Sequence, residues 1–311
     1  MHGAEYGFWD NCVGGERHPV GVTTPLRDFD EAGLASLRSQ FDRIRGDRAA
    51  APAVSVVVPV NAKEDLDTVM GVVGDTARYD GTHTLEVVLV VNNYPLGEPP
   101  TALGAYEAAG LRTIALPSAW TEGEVVSFSA RLPGVRAAGS NHLVLWDADC
   151  RVPDASALID WYVDQLTSGA TAAYTHVDYY DLRALWSVRT RIAVHHASRW
   201  VKRSVLRIPT LRGSNYAIRR EVLLRLHDDR LVGDDLNVGP AVRATNGVCA
   251  YSNQPRLTVL TSGRRFKGGW RKLGHYLRYR LSYNVRVLPV SSAGRKARAR
   301  YHAQNHRQVS R

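Results

Sequence analysis

The sequence predicts an α/β protein built on a mostly parallel sheet, and three observations predict it. Val54-Ser55-Val56-Val57-Val58 and Leu85-Glu86-Val87-Val88-Leu89-Val90-Val91 are short, β-branched runs of the kind a sheet buries on both faces. Helical patterns separate such runs at the spacing of right-handed crossovers. The run His142-Leu143-Val144-Leu145-Trp146 then closes on Asp147-Ala148-Asp149, which sets two carboxylates at the carboxyl edge of the sheet, where open α/β sheets hold ligands.

Each element follows in turn. Residues 1–50 form an extension with one amphipathic helix, Asp30 to Arg45, whose Leu34, Leu37, Phe41 and Ile44 share a face. Ala49 to Pro52 reads as a linker. In residues 51–150 the first strand is stopped by Pro59, and a helical pattern follows through Leu66, Val69, Met70 and Val73. The second strand ends at Asn92-Asn93. A helix Ala102–Ala109, a short strand Arg112–Leu116, a helix around Val125–Ala138 and the strand Leu143–Trp146 complete this half. Residues 151–266 are less regular: a helix Ala155–Leu166, the stretch Ala172–Tyr180 and a long helical pattern Leu182–Val201 carrying His195 and His196. Adjacent helical positions face about 100° apart, which argues for packing or surface roles over joint metal binding by these histidines.

At 311 residues the chain can bury a sizeable core. No apolar run approaches the roughly 20 residues needed to cross a bilayer, and the first residues lack a secretion pattern. Cys12, Cys150 and Cys249 form neither a disulfide framework nor a zinc spacing, and Cys150 reads as a neutral thiol packed under the strand end. These features predict a cytoplasmic protein. The net charge of +10 hides a division, because all 30 acids lie at or before Asp235 and the 76 residues after it carry 16 Lys or Arg. Residues 267–311 form a basic end. Trp270, Leu273, Leu277 and Leu281 fall on one helical face there, which fits either a helix packed on its own domain or peripheral contact with an anionic membrane on its inner face.

The acids carry the chemistry. Asp147 and Asp149 share parity, so both face one side only if strand geometry persists; a turn beginning at Ala148 splays them. Hard oxygen ligands of this kind suit Mg²⁺ or Mn²⁺ carrying substrate phosphates. Gly213-Ser214-Asn215 opens with a glycine that permits close backbone approach, and a helix begins at Arg220. Gly233-Asp234-Asp235 sits at a helix start, with Asp234 a candidate N-cap and Gly247 a stop. Thr261-Ser262-Gly263-Arg264-Arg265 ends a strand on two guanidinium groups suited to bidentate phosphate contact.

In this order the pieces resemble the family 2 glycosyltransferases of the GT-A fold. The resemblance spans about residues 54–266 and rests on Ser55–Pro59, Ser129-Ala130-Arg131 with Gly134 and Ala137-Ala138, Asp147-Ala148-Asp149, Gly213-Ser214-Asn215 leading to Arg219-Arg220-Glu221, Gly233-Asp234-Asp235-Leu236, and Thr261 to Arg265. It implies that Asp149 holds a divalent metal, Mn²⁺ or Mg²⁺, on the donor diphosphate, and that Asp147 holds the ribose or shares the metal. Asp235 would be the general base toward an acceptor hydroxyl, with Asp234 orienting. Arg264 or Arg265 would neutralise the leaving diphosphate. Pro59, Val60 and Asn61 would line the base and ribose, with Arg131 near the nucleotide and Gly213, Ser214 and Asn215 flooring the donor-sugar site. Asn92-Asn93 stand where many relatives carry acids, one of which reads the nucleobase. An Asn carbonyl still accepts from a uracil imide, so a UDP-sugar is favoured among nucleotide-diphosphate sugars, with guanosine and thymidine open.

The chemistry suits those assignments. Transfer from a nucleotide sugar develops negative charge on the departing phosphate, which a metal and a guanidinium offset, while one carboxylate activates the incoming hydroxyl. One base with in-line attack gives inversion. Two other classes compete. A nucleotidyltransferase would use the same acid pair, yet Val60–Asp65 lacks the glycine of a phosphate loop. A non-catalytic nucleic-acid-binding module would use the basic end and Tyr276, Tyr279 and Tyr283, but four acids at the site edge repel phosphates unless a metal intervenes, so no nucleic acid is expected.

Overall fold

The computed structural model describes residues 31–47, 49–117, 127–182, 185–264 and 274. In chain order they form α1 (Glu31–Arg45), β1 (Val54–Asn61), α2 (Met70–Ala77), β2 (Leu85–Asn92), α3 (Ala102–Ala108), β3 (Arg112–Leu116), α4 (Ser127–Ala137) and β4 (His142–Leu145). There follow α5 (Ala155–Thr167), β5 (Ala172–Thr175), β6 (Val177–Tyr179), α6 (Trp186–Trp200) with a π-helical turn Val201–Val205, β7 (Tyr216–Arg219), α7 (Arg220–Asp228), α8 (Asp235–Ala244), β8 (Cys249–Ser252) and β9 (Val259–Thr261). The expected α/β class, with a mostly parallel central sheet, is what is observed.

Seven strands share one sheet in the order β3-β2-β1-β4-β7-β5-β8, and β6 pairs with β9 in a second, two-stranded sheet. Within the large sheet only β7 runs against its neighbours, β4 and β5. This single reversal matters for the site. Tyr216, at the start of β7, pairs with Leu145 at the end of β4, so the segment entering β7 and the segment leaving β4 meet at one edge.

Alternation along the strands builds two cores. Val54, Val56, Val58 and Val60 face one side, under α1, α2 and α5. Val57, Val88 and Val90 face the other, with Phe128 and Val135 of α4, Leu223 and Leu226 of α7, and Val238 and Val242 of α8. A Cβ at Gly134 would stand 2.7 Å from methyl groups of both Val57 and Val90. The glycine thus lets α4 lie directly on the sheet, with Arg131 one turn earlier near the carboxyl edge.

Several boundaries differ from expectation. β1 is not stopped by Pro59 but runs on to Asn61. Val54 donates to Thr84 and Ala62 to Asn92, so even-numbered residues bond to β2. The N–H that Pro59 lacks therefore falls on the β4 side, past Leu145, where that strand has ended and no partner is lost. The stretch Ala172–Tyr180 is two strands, because the chain leaves β5 at His176 and re-pairs with β9. Helix α8 stops at Ala244, and the left-handed residue after it is Asn246, with φ +60°, not Gly247. On α6, His195 is fully buried and His196 stacks on His176 with ring centroids 4.9 Å apart, which is packing. The expected amphipathic face from Trp270 to Leu281 and nearly all of the basic end lie outside the described residues.

Candidate active site

Strand β4 ends at Leu145, and the chain turns at Ala148-Asp149, with the Cys150 N–H donating to the Asp147 carbonyl at 3.1 Å. Strand geometry does not persist, so the two acids splay. Asp147, half-buried, reaches the Arg131 guanidinium on α4. Asp149, buried, accepts from the Thr261 hydroxyl at 3.0 Å and lies 3.3 Å from an Arg264 nitrogen. The turn is braced from below: buried Asp75 accepts from Arg151 at 2.9 Å and from the Val152 N–H at 2.6 Å. Cys150 is buried and its thiol donates to the Ser214 carbonyl at 3.2 Å, and burial first of all pushes its pKa up, so it packs as a neutral group.

Arg131 is the hub. Only 1% exposed, it pairs with both Asp147 and Asp235, and donates to the carbonyls of Gly213 at 2.7 Å and Trp146 at 3.2 Å. Burial alone would favour its neutral form, but the two carboxylates outweigh that and hold it charged. The approach needs a glycine, since a Cβ at Gly213 would sit 2.5 Å from Arg131 Nη1 and 2.6 Å from Asp235 Oδ2. Asp235 also accepts from the Tyr216 hydroxyl at 2.9 Å. Burial pushes Asp235 up to about 6, against the pull of Arg131. Its neighbour Asp234 caps α8, accepting from the Leu236 N–H at 2.8 Å.

A second charged group flanks this one. Arg264 meets Asp149, Glu64 at 3.3 Å and Asp65 at 3.9 Å. Burial, then the neighbouring Asp147, pushes Asp149 up to about 6, with Arg264 and Thr261 opposing. Among the described residues no group of three or more His, Cys, Asp or Glu is arranged to hold a metal by itself. The donor set nonetheless fits a hard divalent cation, because such ions take one or two carboxylates and complete their shell with water and substrate phosphates. A guanidinium already stands against Asp149, so the carboxylate edge accommodates positive charge.

No family model matches the chain, and no curated protein does. Among solved structures, the chain is similar to a mannosyltransferase from Pyrobaculum calidifontis in complex with GDP-Man and Mn²⁺, at 19% identity and TM-score 0.45, over 82% of this chain and 73% of that one. It is also similar to glucosyl-3-phosphoglycerate synthase from Mycobacterium tuberculosis in complex with Mn²⁺, UDP and phosphoglyceric acid, at 16% identity and TM-score 0.46, over 83% and 84% of the two chains. At these scores neither likeness bears on how the site works, which rests on its own residues.

The remaining candidates divide. Gly213 joins the hub. Asn215 does not face an opening, since its side chain accepts from Tyr162 and donates to Thr175 at 2.6 Å and to the His176 carbonyl at 3.3 Å, tying β7 to α5 and β5. Ser214 is buried beside it. Asn92 turns its amide back onto the Val90 carbonyl at 3.2 Å, and Asn93 takes a left-handed φ of +61°, a conformation Asn tolerates. The two asparagines therefore shape the strand end, and the expected nucleobase contact finds both buried. Pro59 and Val60 are buried in β1. Asn61 accepts from the Lys63 N–H at 3.1 Å and donates its own N–H to Asp65 at 3.3 Å, an Asx-type turn at the end of β1. Arg265 lies outside the described residues. Sequence reasoning gave no site role to Tyr216, Asp65 or Thr261, the last entering only as part of the Thr261–Arg265 segment. The register of β7 against β4 brings in Tyr216, and the bridge of Leu260 to Arg151 beside the acid turn brings in Thr261; no local pattern announces either pairing.

Proposed function

We propose that this chain is a metal-assisted, inverting glycosyltransferase that moves a sugar from a nucleotide-diphosphate sugar to an acceptor hydroxyl. The observation that carries the reading is that Arg131 holds Asp147, from the end of β4, and Asp235, from the start of α8, on one guanidinium. The acids of the two halves thus converge on one buried cation.

Asp149, with Asp147 beside it, would hold the divalent cation. When bound, that ion supplies charge neutralisation at the donor diphosphate. Arg264 stands next to it and would take the developing charge on the departing phosphate through its planar fork. Asp235 is the base. Each carboxylate oxygen has two lone pairs, and Arg131 and Tyr216 occupy one on each, so room remains to accept an acceptor hydroxyl proton. A carboxylate raised to about 6 is a stronger base than an ordinary one while still ionised at neutral pH. Asp234 orients it by fixing the start of α8. With both asparagines buried, the ground for preferring uridine is gone, and the proposed donor is a nucleotide-diphosphate sugar with no base preferred.

The test is incubation of the chain with a panel of nucleotide sugars and hydroxyl acceptors, with Mn²⁺, with Mg²⁺ and with chelator. Metal-dependent release of free nucleoside diphosphate with an inverted anomeric product supports the reading. Release of pyrophosphate instead assigns nucleotidyl transfer, and retention of anomeric configuration removes the single-base mechanism.

A further inference from the structure

Helix α6 is inverted. Its buried stripe is Val188, Arg191, His195 and Arg199, whereas its outward face and the π-helical turn after it present Trp186, Val194, Trp200, Val201, Val205 and Leu206. Trp186 is 80% exposed, Val205 61%, Leu206 50% and Trp200 44%. Of the nine large hydrophobic side chains exposed among the described residues, seven lie in residues 185–206. A surface helix ordinarily turns its apolar stripe inward, and an apolar patch of this extent marks a surface that meets something apolar.

The charge around the patch names the occupant. Between Asp181 and Glu221 the sequence holds no Asp or Glu, and of its Lys and Arg residues Arg191, Arg199 and Arg212 are buried while Arg219 and Arg220 belong to β7 and α7, which leaves Arg189, Lys202, Arg203 and Arg207 to rim the patch among the described residues. Arg189 and Arg207 are exposed, and Lys202 and Arg203 are half-buried at the turn. The patch is also fixed in place: Arg243 donates to the Leu206 carbonyl at 3.0 Å, and Arg203 lies 3.7 Å over the Tyr251 ring. A second copy of the chain would bring an equally cationic rim against this one across a two-fold contact. An anionic lipid surface instead satisfies both features, since aliphatic side chains enter the acyl boundary, tryptophans settle at headgroup level and cations meet lipid phosphates. Among the described residues no helix is long and apolar enough to cross a membrane, which fits lying on it.

We propose that the outward face of α6 and the turn Val201–Val205, with Leu206, dock this protein on an anionic bilayer surface. This assignment is separate from the basic end and from the transfer reaction. The test is co-sedimentation of the full chain with vesicles of phosphatidylcholine alone and with about a third phosphatidylglycerol. The intact chain should bind the anionic vesicles preferentially, with binding weakened by salt. Replacement of Trp186→Ser, Trp200→Ser and Leu206→Ser together should lower the partition coefficient about tenfold or more. Circular dichroism of the variant should match that of the parent, so that a loss of binding is read on a folded chain. Arg189→Glu alone, a change that leaves the apolar face intact, should lower binding to anionic vesicles and not to neutral ones. The proposal is overturned if the intact chain ignores anionic vesicles or if the triple variant binds as the parent does, which would assign lipid contact to residues 265–311. A dimer that the triple variant abolishes and vesicles leave intact overturns it equally.

Discussion

The Arg131 guanidinium donates to the Asp235 carboxylate across 104 positions of sequence, while its other terminal nitrogen serves Asp147. Pairing a half-buried and a buried acid with one cation in this way ties both ends of the proposed reaction to α4.

Arg131→Met keeps the volume and removes the charge. It leaves Asp147 and Asp235 without their shared cation, so unfolding free energy should fall by about 3–5 kcal/mol. Chemical denaturation followed by circular dichroism measures it. Arg131→Lys should recover part of the stability but lose the two-pronged geometry, and turnover with it.

Asp235→Asn removes the base but can keep an acceptor for Tyr216. Turnover should drop about 10²–10⁴-fold while nucleotide binding, read by calorimetry, persists. Loss of donor binding in this variant would take Asp235 out of the base role.

The pH dependence follows from the same carboxyl. Asp235 stands near 6 in the folded chain against an ordinary 3.8, and Asp149 at the other end of the site stands there too, so kcat/KM should fall as pH drops through about 6 and level off above it. The sign for stability is opposite. Between those two values the folded chain binds the proton more readily than the unfolded one, so this group favours the fold as pH falls through the window and opposes it above. Unfolding titrations of the parent and of Asp235→Asn at pH on either side separate the two effects.

Gly213→Ala places a methyl against the Arg131–Asp235 pair. A stability loss of about 1–3 kcal/mol is expected, with turnover falling further than stability alone explains because the pair must shift. Differential scanning calorimetry beside initial rates at a temperature well below the midpoint distinguishes them.

Arg264→Ala takes a guanidinium away from Asp149, Glu64 and Asp65. Mn²⁺ should bind more tightly to the variant, since a competing cation is gone, while transfer slows for want of charge at the diphosphate. Isothermal titration with Mn²⁺ in the absence of donor reads the first effect, and a weaker Mn²⁺ affinity would contradict the arrangement.

Local periodicity carried most of the first half of the fold. Strands β1, β2 and β4, and the acids after β4, were legible because an apolar run ending in polar residues is a local signal. The partnership of Arg131 with Asp235 was not, because it depends on β7 reversing against β4, and strand order leaves no mark at either residue. Asn215 illustrates a different gap. A Gly-Ser-Asn segment reads as a ligand floor, yet its amide is consumed by Tyr162, Thr175 and His176, which lie far away in sequence. For α6, the helical period of Trp186, Ala193 and Trp200 is visible in the sequence, but a period does not distinguish the side facing in from the side facing out.

The antiparallel ladder between β4 and β7 also restricts how such a chain can diversify. A chimera that joined residues 1–150 to a foreign partner would sever backbone pairing between Leu145 and Tyr216, not a linker. Exchange of modules at that seam is therefore obstructed, and new specificity has to come from loops that leave the ladder intact.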